Sequence, residues 1–384
     1  MCSTDVRHPP CCPQLYTHEV PAEASQSDLM HMAAAADKFE LRRVSAACIA
    51  KLAQLPADEL DWDTVVWAFS PPDGIAALDS CGTLQQQASG QLQHVLGDLE
   101  VALQDAATCQ RLVQLPHAGL LALLRDPGTR VAAEGTAVAA VALWVAVQER
   151  MGASLTLEQR RELASHIRMV QLPFTYLGTV LPHIEWLQGV ITAQHIVLVT
   201  AAKGMPAGYA QHLVRLGIIT DGADRAEWRE WLGSARPQSS RQGVSVSVAV
   251  PATELNERGT HGTSEAWESP EPVLFGGYEL GVCVELNMDR TFGASMLLHA
   301  IGSAPANPGL SNPAVAWEGD LACVVDGNVS CRRCIKGVWQ IGTGLPNFFR
   351  HRVDMSAGWQ PERLAPFLHD GKLTIELRVS QLLP

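Results

Sequence analysis

Residues 234–250, SARPQSSRQGVSVSVAV, decide how the chain is read. Before this stretch the sequence is rich in Ala and Leu, with apolar residues returning at steps of three and four, the spacing of a helix with one buried face. Beyond the polar run 236–243, Val244, Val246, Val248 and Val250 alternate with Ser and Ala. A period of two puts every second side chain on one side of an extended strand. The chain therefore changes structural class here. The fold class that follows is multidomain α+β: an all-helical N-terminal half and then an antiparallel β-sandwich. The polar run reads as a linker, 233–242, ahead of a sandwich domain over 243–384.

Upstream, two short amphipathic helices are expected, one from Leu29, Met32, Ala33 and Ala36, the next from Leu41, Val44, Cys48 and Leu52. Pro56 ends the second, because proline disfavours helical geometry in the residue before it. Trp62, Val65, Val66 and Phe69 form a third, stopped at Pro71-Pro72. A long helix carrying Leu84, Leu92, Leu96, Leu99 and Leu103 comes next. Leu112, Leu115-Pro116, Leu120, Leu121, Leu123 and Leu124, then Arg125-Asp126-Pro127-Gly128, read as helix, break, helix, stop. Val131 to Arg150 is apolar on nearly every side, as in a helix buried among neighbours. Further helices are expected at 157–169, 174–181, 185–200 and 207–216. Residues 1–27, with Pro9, Pro10 and Pro13 and no apolar face, read as a flexible tail.

Downstream, strands are expected at 273–275, 279–286, 296–301, 321–325, 335–340 and 372–380, with a hydrophilic loop over 254–271. Gly276-Gly277 and Asp326-Gly327 are turn dipeptides of the hairpin kind. Short strands separated by such turns indicate a sandwich.

Composition narrows the function. The chain has 384 residues, 47% of them apolar, enough for sizeable cores, and a formal net charge of -12. That charge argues against a nucleic-acid backbone as partner. Apolar runs are interrupted well short of the ~18 residues of a membrane span, and the N-terminus lacks the apolar core of a secretory signal. An intracellular protein is expected, with its ten cysteines mostly reduced; the glycosylation triplet Asn328-Val-Ser is then idle.

Candidate chemistry is sparse. Cys331-Arg-Arg-Cys334 has the spacing of a zinc half-site or a redox pair, yet four zinc ligands usually come as two close pairs and no second pair is present. A redox pair belongs at a strand-to-helix junction, whereas this one lies between strand candidates. The motifs of serine hydrolases, zinc proteases and phosphate loops are missing. His166, His183 and His195 read as core or surface residues, and Trp317, Trp339 and Trp359 as sandwich core, with the lining of a peptide groove as the alternative. No catalytic, cofactor or metal residue is assigned, so a protein without bond chemistry is expected. The other readings are a protein-interaction scaffold and a thiol- or metal-dependent enzyme built on Cys331 and Cys334.

The residues carry a resemblance. DLMHMAAAADKFEL, 28–41, followed by Val44, Cys48 and Leu52, resembles the last two helices of a BTB/POZ domain. LPHAGLLALLRD, 115–126, then Val131, Glu134, Val138 and Leu143-Trp144, then His166-Ile-Arg-Met and Leu172-Pro, is similar to a BACK domain. FGGY at 275–278 and FLHDGKLTIEL at 367–377 are similar to the tail of plant light-response BTB proteins, and more loosely to a MATH/TRAF-like sandwich. The resemblance implies C-terminal helices of a truncated BTB domain over 28–56, a BACK-like helical domain over 57–232, and a substrate receptor of a cullin-based ubiquitin ligase. Implied partners are a cullin scaffold and an unknown substrate protein, in nucleus and cytoplasm, with no cofactor. The strands and early helices of the BTB dimer interface have no counterpart before Asp28, which puts dimerisation in question and reads as a shortened gene model or a diverged member. By match to the family, Asp37, Phe39 and Leu41 in one segment, and Leu120 and Leu121 in another, are the partner-binding candidates. The plain alternative for Phe39, Leu41, Leu120 and the nearby Leu124 is that they hold helices together.

Overall fold

The computed structural model describes residues 20–174, 176–203, 231–240, 243–254, 265–286, 292–300, 314–325, 328–340, 368 and 370–382. The chain forms two compact units, 1–97 with 106–129, and 98–105 with 130–384. It passes between them three times, so the units are interleaved along the sequence.

In the first unit, α1 (Gln26–Lys38) is started by a capping box, Ser25 with Asp28, which satisfies two backbone donors at the helix N-terminus. It buries Leu29, Met32, Ala33 and Ala36, the face its periodicity predicts. Helix α2 (Arg42–Ala53) packs on it through Val44, Cys48 and Leu52. Asp61 caps α3 (Trp62–Ala68) by accepting from the Thr64 amide at 2.8 Å, and α4 (Asp73–Ala76) follows Pro72. The central member is α5 (Asp79–Leu96), packed against α2, α3 and, further along, α8 (His117–Arg125). Its Leu84, Leu92 and Leu96 are at most 1% exposed; each leucine buried this way contributes about 1.5–3 kcal/mol.

The helix expected to run on through Leu103 breaks at Gly97. Asp98 takes up the N-cap of a new helix, α6 (Leu99–Gln104), which belongs to the second unit. An Asp side chain that reaches back to the amide three residues on competes with continued helix and favours a restart. Helix α7 (Ala106–Val113) then returns to the first unit, and Pro116 opens α8 as the leucine-rich stretch predicts.

In the second unit, α9 (Glu134–Arg150) is buried around its circumference from Glu134 to Val145. It starts three residues later than expected because Val131 joins a parallel bridge with Gln238. Helix α10 (Leu157–Ser165), begun by the Thr156–Gln159 capping box, stops at His166, short of 169. The helix expected over 174–181 is a π turn at Tyr176–Val180 and a 3-10 turn at Leu181–His183. The one expected over 185–200 divides into a 3-10 turn at Glu185–Leu187 and α11 (Ala193–Lys203). Pro182 and the left-handed Gly189 (φ 77°) punctuate this region against long helices. The expected helix at 207–216 lies outside the described residues.

The strands are β1 (Val244–Pro251), β2 (Glu265–Glu268), β3 (Val273–Phe275), β4 (Tyr278–Leu286), β5 (Phe292–Ala300), β6 (Ala314–Val325), β7 (Asn328–Gln340) and β8 (Lys372–Leu382). One sheet has the order β1-β8-β6-β7; the other has β2-β4-β3 with β5 also on β4, and every pairing is antiparallel. In β1 the valines are buried and the residues between them exposed, as the period of two requires. Gly276 and Gly277, at φ 60° and 92°, make the two-residue turn joining β3 to β4. Both positions need the left-handed region that glycine enters without penalty. Gly277 has a second reason to be glycine: a Cβ there would run into the Gly135 backbone at the start of α9. Strand β2 corrects the reading of 254–271 as loop throughout. Its Trp267 pairs with Val284, and the indole donates to Glu254 at 2.9 Å.

Residues 236–239, within the polar run read as a linker, are held in place. Arg236 and Ser239 are 6% and 5% exposed, the Val131 amide donates to the Pro237 carbonyl at 3.1 Å and the Ser239 amide to the Val131 carbonyl at 2.9 Å. A composition of Arg, Gln and Ser suggests solvent only when no buried partner waits for it.

Candidate interaction surface

The α1–α2 connection is a helix C-terminus closed by backbone bonds. The Glu40 amide donates to the Asp37 carbonyl at 2.9 Å and the Leu41 amide to the Ala36 carbonyl at 2.8 Å, the bond pattern of a Schellman motif. Glycine usually occupies the left-handed position of that motif; here it is Glu40, at φ 57°. The turn is therefore rigid, and it carries backbone strain of order 1 kcal/mol. Its geometry turns Phe39 out of the core, 64% exposed, between the exposed Lys38 and Glu40 and next to the exposed Arg42 and Arg43.

The other candidates differ. Asp37 is half-buried against Gly74, where any side chain would collide with its carboxylate. Leu41 is half-buried. Leu120 and Leu121 are 0% and 4% exposed, so they hold α8 in the core and offer no surface to another protein. Phe39 is the apolar member of the group that solvent reaches most.

The second unit contains buried charges that no spacing announces. Glu134, at the first turn of α9, pairs with Arg236 at 3.3 Å, both side chains 1% exposed. Glu134 also accepts from the Arg168 amide at 2.8 Å, and Arg236 donates to the His166 carbonyl at 2.8 Å. Burial pushes the Glu134 carboxyl up, against the pull of the Arg236 charge and the Arg168 amide. Asp98 accepts from the Ser239 hydroxyl at 2.7 Å and from the amide and hydroxyl of Ser240, both at 2.8 Å. Burial acts to raise its carboxyl, but these bonds with that of the Val101 amide outweigh it and hold the group below its usual range. Glu100 accepts from Thr136 at 2.7 Å, from Gln104 at 3.0 Å and from the Gly276 amide at 3.3 Å, and burial leaves it raised. Each group ties elements far apart in sequence, and each carboxylate is occupied by its structural partners.

The cysteines read as reduced core include Cys48 and Cys283, both buried. Burial pushes the Cys48 thiol up to about 11, which keeps it protonated and unreactive. Cys331 and Cys334 lie within the continuous strand β7. No cluster of three metal-binding side chains occurs among the described residues, and no described helix is long and apolar enough to cross a membrane. No protein-family model matches the chain, and no curated protein matches it significantly.

Proposed function

We propose that the chain is a non-catalytic adaptor, a substrate receptor that connects a cullin scaffold to a target protein through protein contacts. The observation that carries this reading is Phe39: a large ring held in water by a hydrogen-bonded turn between two packed helices, on the segment whose residues resemble the end of a BTB domain. An aromatic anchor on a rigid element is how interfaces concentrate binding energy. The basic residues Lys38, Arg42 and Arg43 around it favour an acidic rim on the partner. In this reading the helices of 57–232 act as a BACK-like spacer. The two antiparallel sheets form the faces of a sandwich whose loops or edge receive the target. The reading calls for no cofactor and suits nucleus and cytoplasm alike.

The test is binding of the full chain to a purified cullin N-terminal region. Phe39→Asp is expected to weaken binding at least tenfold, about 1.4 kcal/mol, while thermal unfolding stays within about 2 °C of the parent, since the ring is not in the core. Leu120→Asp serves as the contrasting control, losing binding by unfolding. If the parent chain leaves cullin untouched, or Phe39→Asp binds as well as the parent, the ligase reading is wrong, and a scaffold without that connection takes its place.

A further inference from the structure

We infer that Cys323 and Cys331, direct register partners on β6 and β7, form a reversible thiol–disulfide pair that exchanges with a small disulfide such as oxidised glutathione. In an antiparallel ladder the Cα atoms of direct partners lie about 4.5–5.5 Å apart. A disulfide closes over Cα separations of about 4.4–6.8 Å, so backbone pairing alone holds these two positions at bonding range. The register is well determined: ten successive pairs run from Ala314–Gln340 to Cys323–Cys331, and after a bulge the ladder resumes with Val324–Val329 and Val325–Asn328. Strand β6 is also fixed from its other side by β8, where Cys323 is the partner of Ile375. Spacing in the sequence would pair Cys331 with Cys334 instead. Both belong to β7, where three steps of extended chain separate their Cα atoms by about 10 Å. That exceeds the ~7 Å that a disulfide spans without backbone movement. The register partner of Cys334 on β6 is Asp320, which supplies no thiol.

The exchange consists of two displacements. The Cys331 thiolate attacks one sulfur of the small disulfide, whose S–S bond breaks as a thiolate leaves. The Cys323 thiolate then attacks the Cys331 sulfur of the mixed disulfide, and a second thiolate leaves. Two electrons and the two thiol protons pass from the cysteines to the reagent, which ends as two thiols. Strand β7 is the entry side because it ends the sheet order β1-β8-β6-β7, whereas β6 lies between β8 and β7. Its Arg332, Arg333 and Lys336 suit a reagent that, like glutathione, carries net negative charge. The new bond closes a loop of nine residues, 323 to 331, around the Asp326-Gly327 turn and so stiffens the hairpin. This inference goes beyond the ligase reading and does not rest on it, because the Phe39 turn belongs to the other unit.

The test is a titration of the full chain with mixtures of reduced and oxidised glutathione, quenched in acid and mapped by mass spectrometry without reduction. Trypsin together with a protease that cuts before Asp places Cys323, Cys331 and Cys334 on separate peptides, 320–325, 326–332 and 334–336. Peptide 326–332 is expected to appear joined to 320–325. Cys323→Ser should leave Cys331 carrying glutathione as the mixed disulfide. Oxidation in guanidinium, where the register is lost, should scatter the links among other cysteines. In the oxidised native chain, hydrogen exchange at the β6 and β7 amides should slow by at least about tenfold. The proposal is overturned if 326–332 is joined to 334–336, if no link to 320–325 forms at any glutathione ratio, if the same preference persists in guanidinium, or if exchange in the hairpin is equal in both forms.

Discussion

The two units solve the problem of a closed interior differently. Among the described residues, the polar groups buried in the first unit are Ser45, Thr64 and Thr129, all uncharged. In the second unit the buried set includes Asp98, Glu100, Glu134 and Arg236, together with Thr136 and Ser239. The first interior is assembled by apolar faces whose fit is selected by close packing. The second depends on charges that are satisfied in one arrangement, because a buried charge without its partner is strongly unfavourable. Such pairs add little net stability over an apolar substitute. What they add here is a fixed position for the strap 231–240 against α9 and α10.

The largest expected effect that separates the units comes from Arg236→Met. It leaves Glu134 buried without its cation and should destabilise the second unit by about 3–5 kcal/mol, measured by chemical denaturation. Combining it with Glu134→Leu should recover most of that loss. If the double variant stays as unstable as the single one, the pair is not what holds the strap.

A smaller effect is expected from Asp98→Ala, which removes the acceptor of Ser239, Ser240 and the Val101 amide. The loss should be about 2–3 kcal/mol, and hydrogen exchange should speed up at the amides of Val131, Ser239 and Ser240 while the α1–α2 pair keeps its protection. Equal loss of protection in both units would show that they do not differ as argued.

The smallest effect is a dependence on pH. Glu100 and Glu134 are raised in the folded chain above the ordinary 4.5, so the folded state binds protons more readily there. Their contribution is present below 4.5 and lost as pH rises through the folded values; stability therefore climbs as pH falls from neutral. Asp98 is held below the ordinary 3.8, so its contribution is present above that value and lost on further acidification. Glu100→Gln should flatten the climb without moving the acid loss. A stability that falls steadily from neutral pH downward would contradict the assignment.

The comparison also explains what was legible. Helices α1, α2, α5 and α8 follow from leucine and alanine spacing, β1 from alternating valines, and the β3–β4 turn from Gly276-Gly277. In each the decisive interaction is between residues a few positions apart. The reading of 185–200 as one helix failed because apolar content alone does not distinguish a long helix from short turns broken by Gly189. Leu120 and Leu121 were singled out with Phe39, yet they are core. A leucine looks the same in sequence whether it faces a neighbouring helix or a partner.

By itself the sequence determined the division into a helical N-terminal half and antiparallel strands beyond it, since backbone periodicity and turn chemistry act locally and leave a pattern in the order of residues. Only the tertiary structure decided that Asp98 starts a new helix in a different unit, that residues 236–240 are anchored by Glu134 and Asp98, and that Phe39 stands in water. The Glu134–Arg236 and Asp98–Ser239 contacts span 102 and 141 positions. A contact across such a distance exists once the intervening chain has packed, and no local spacing records it.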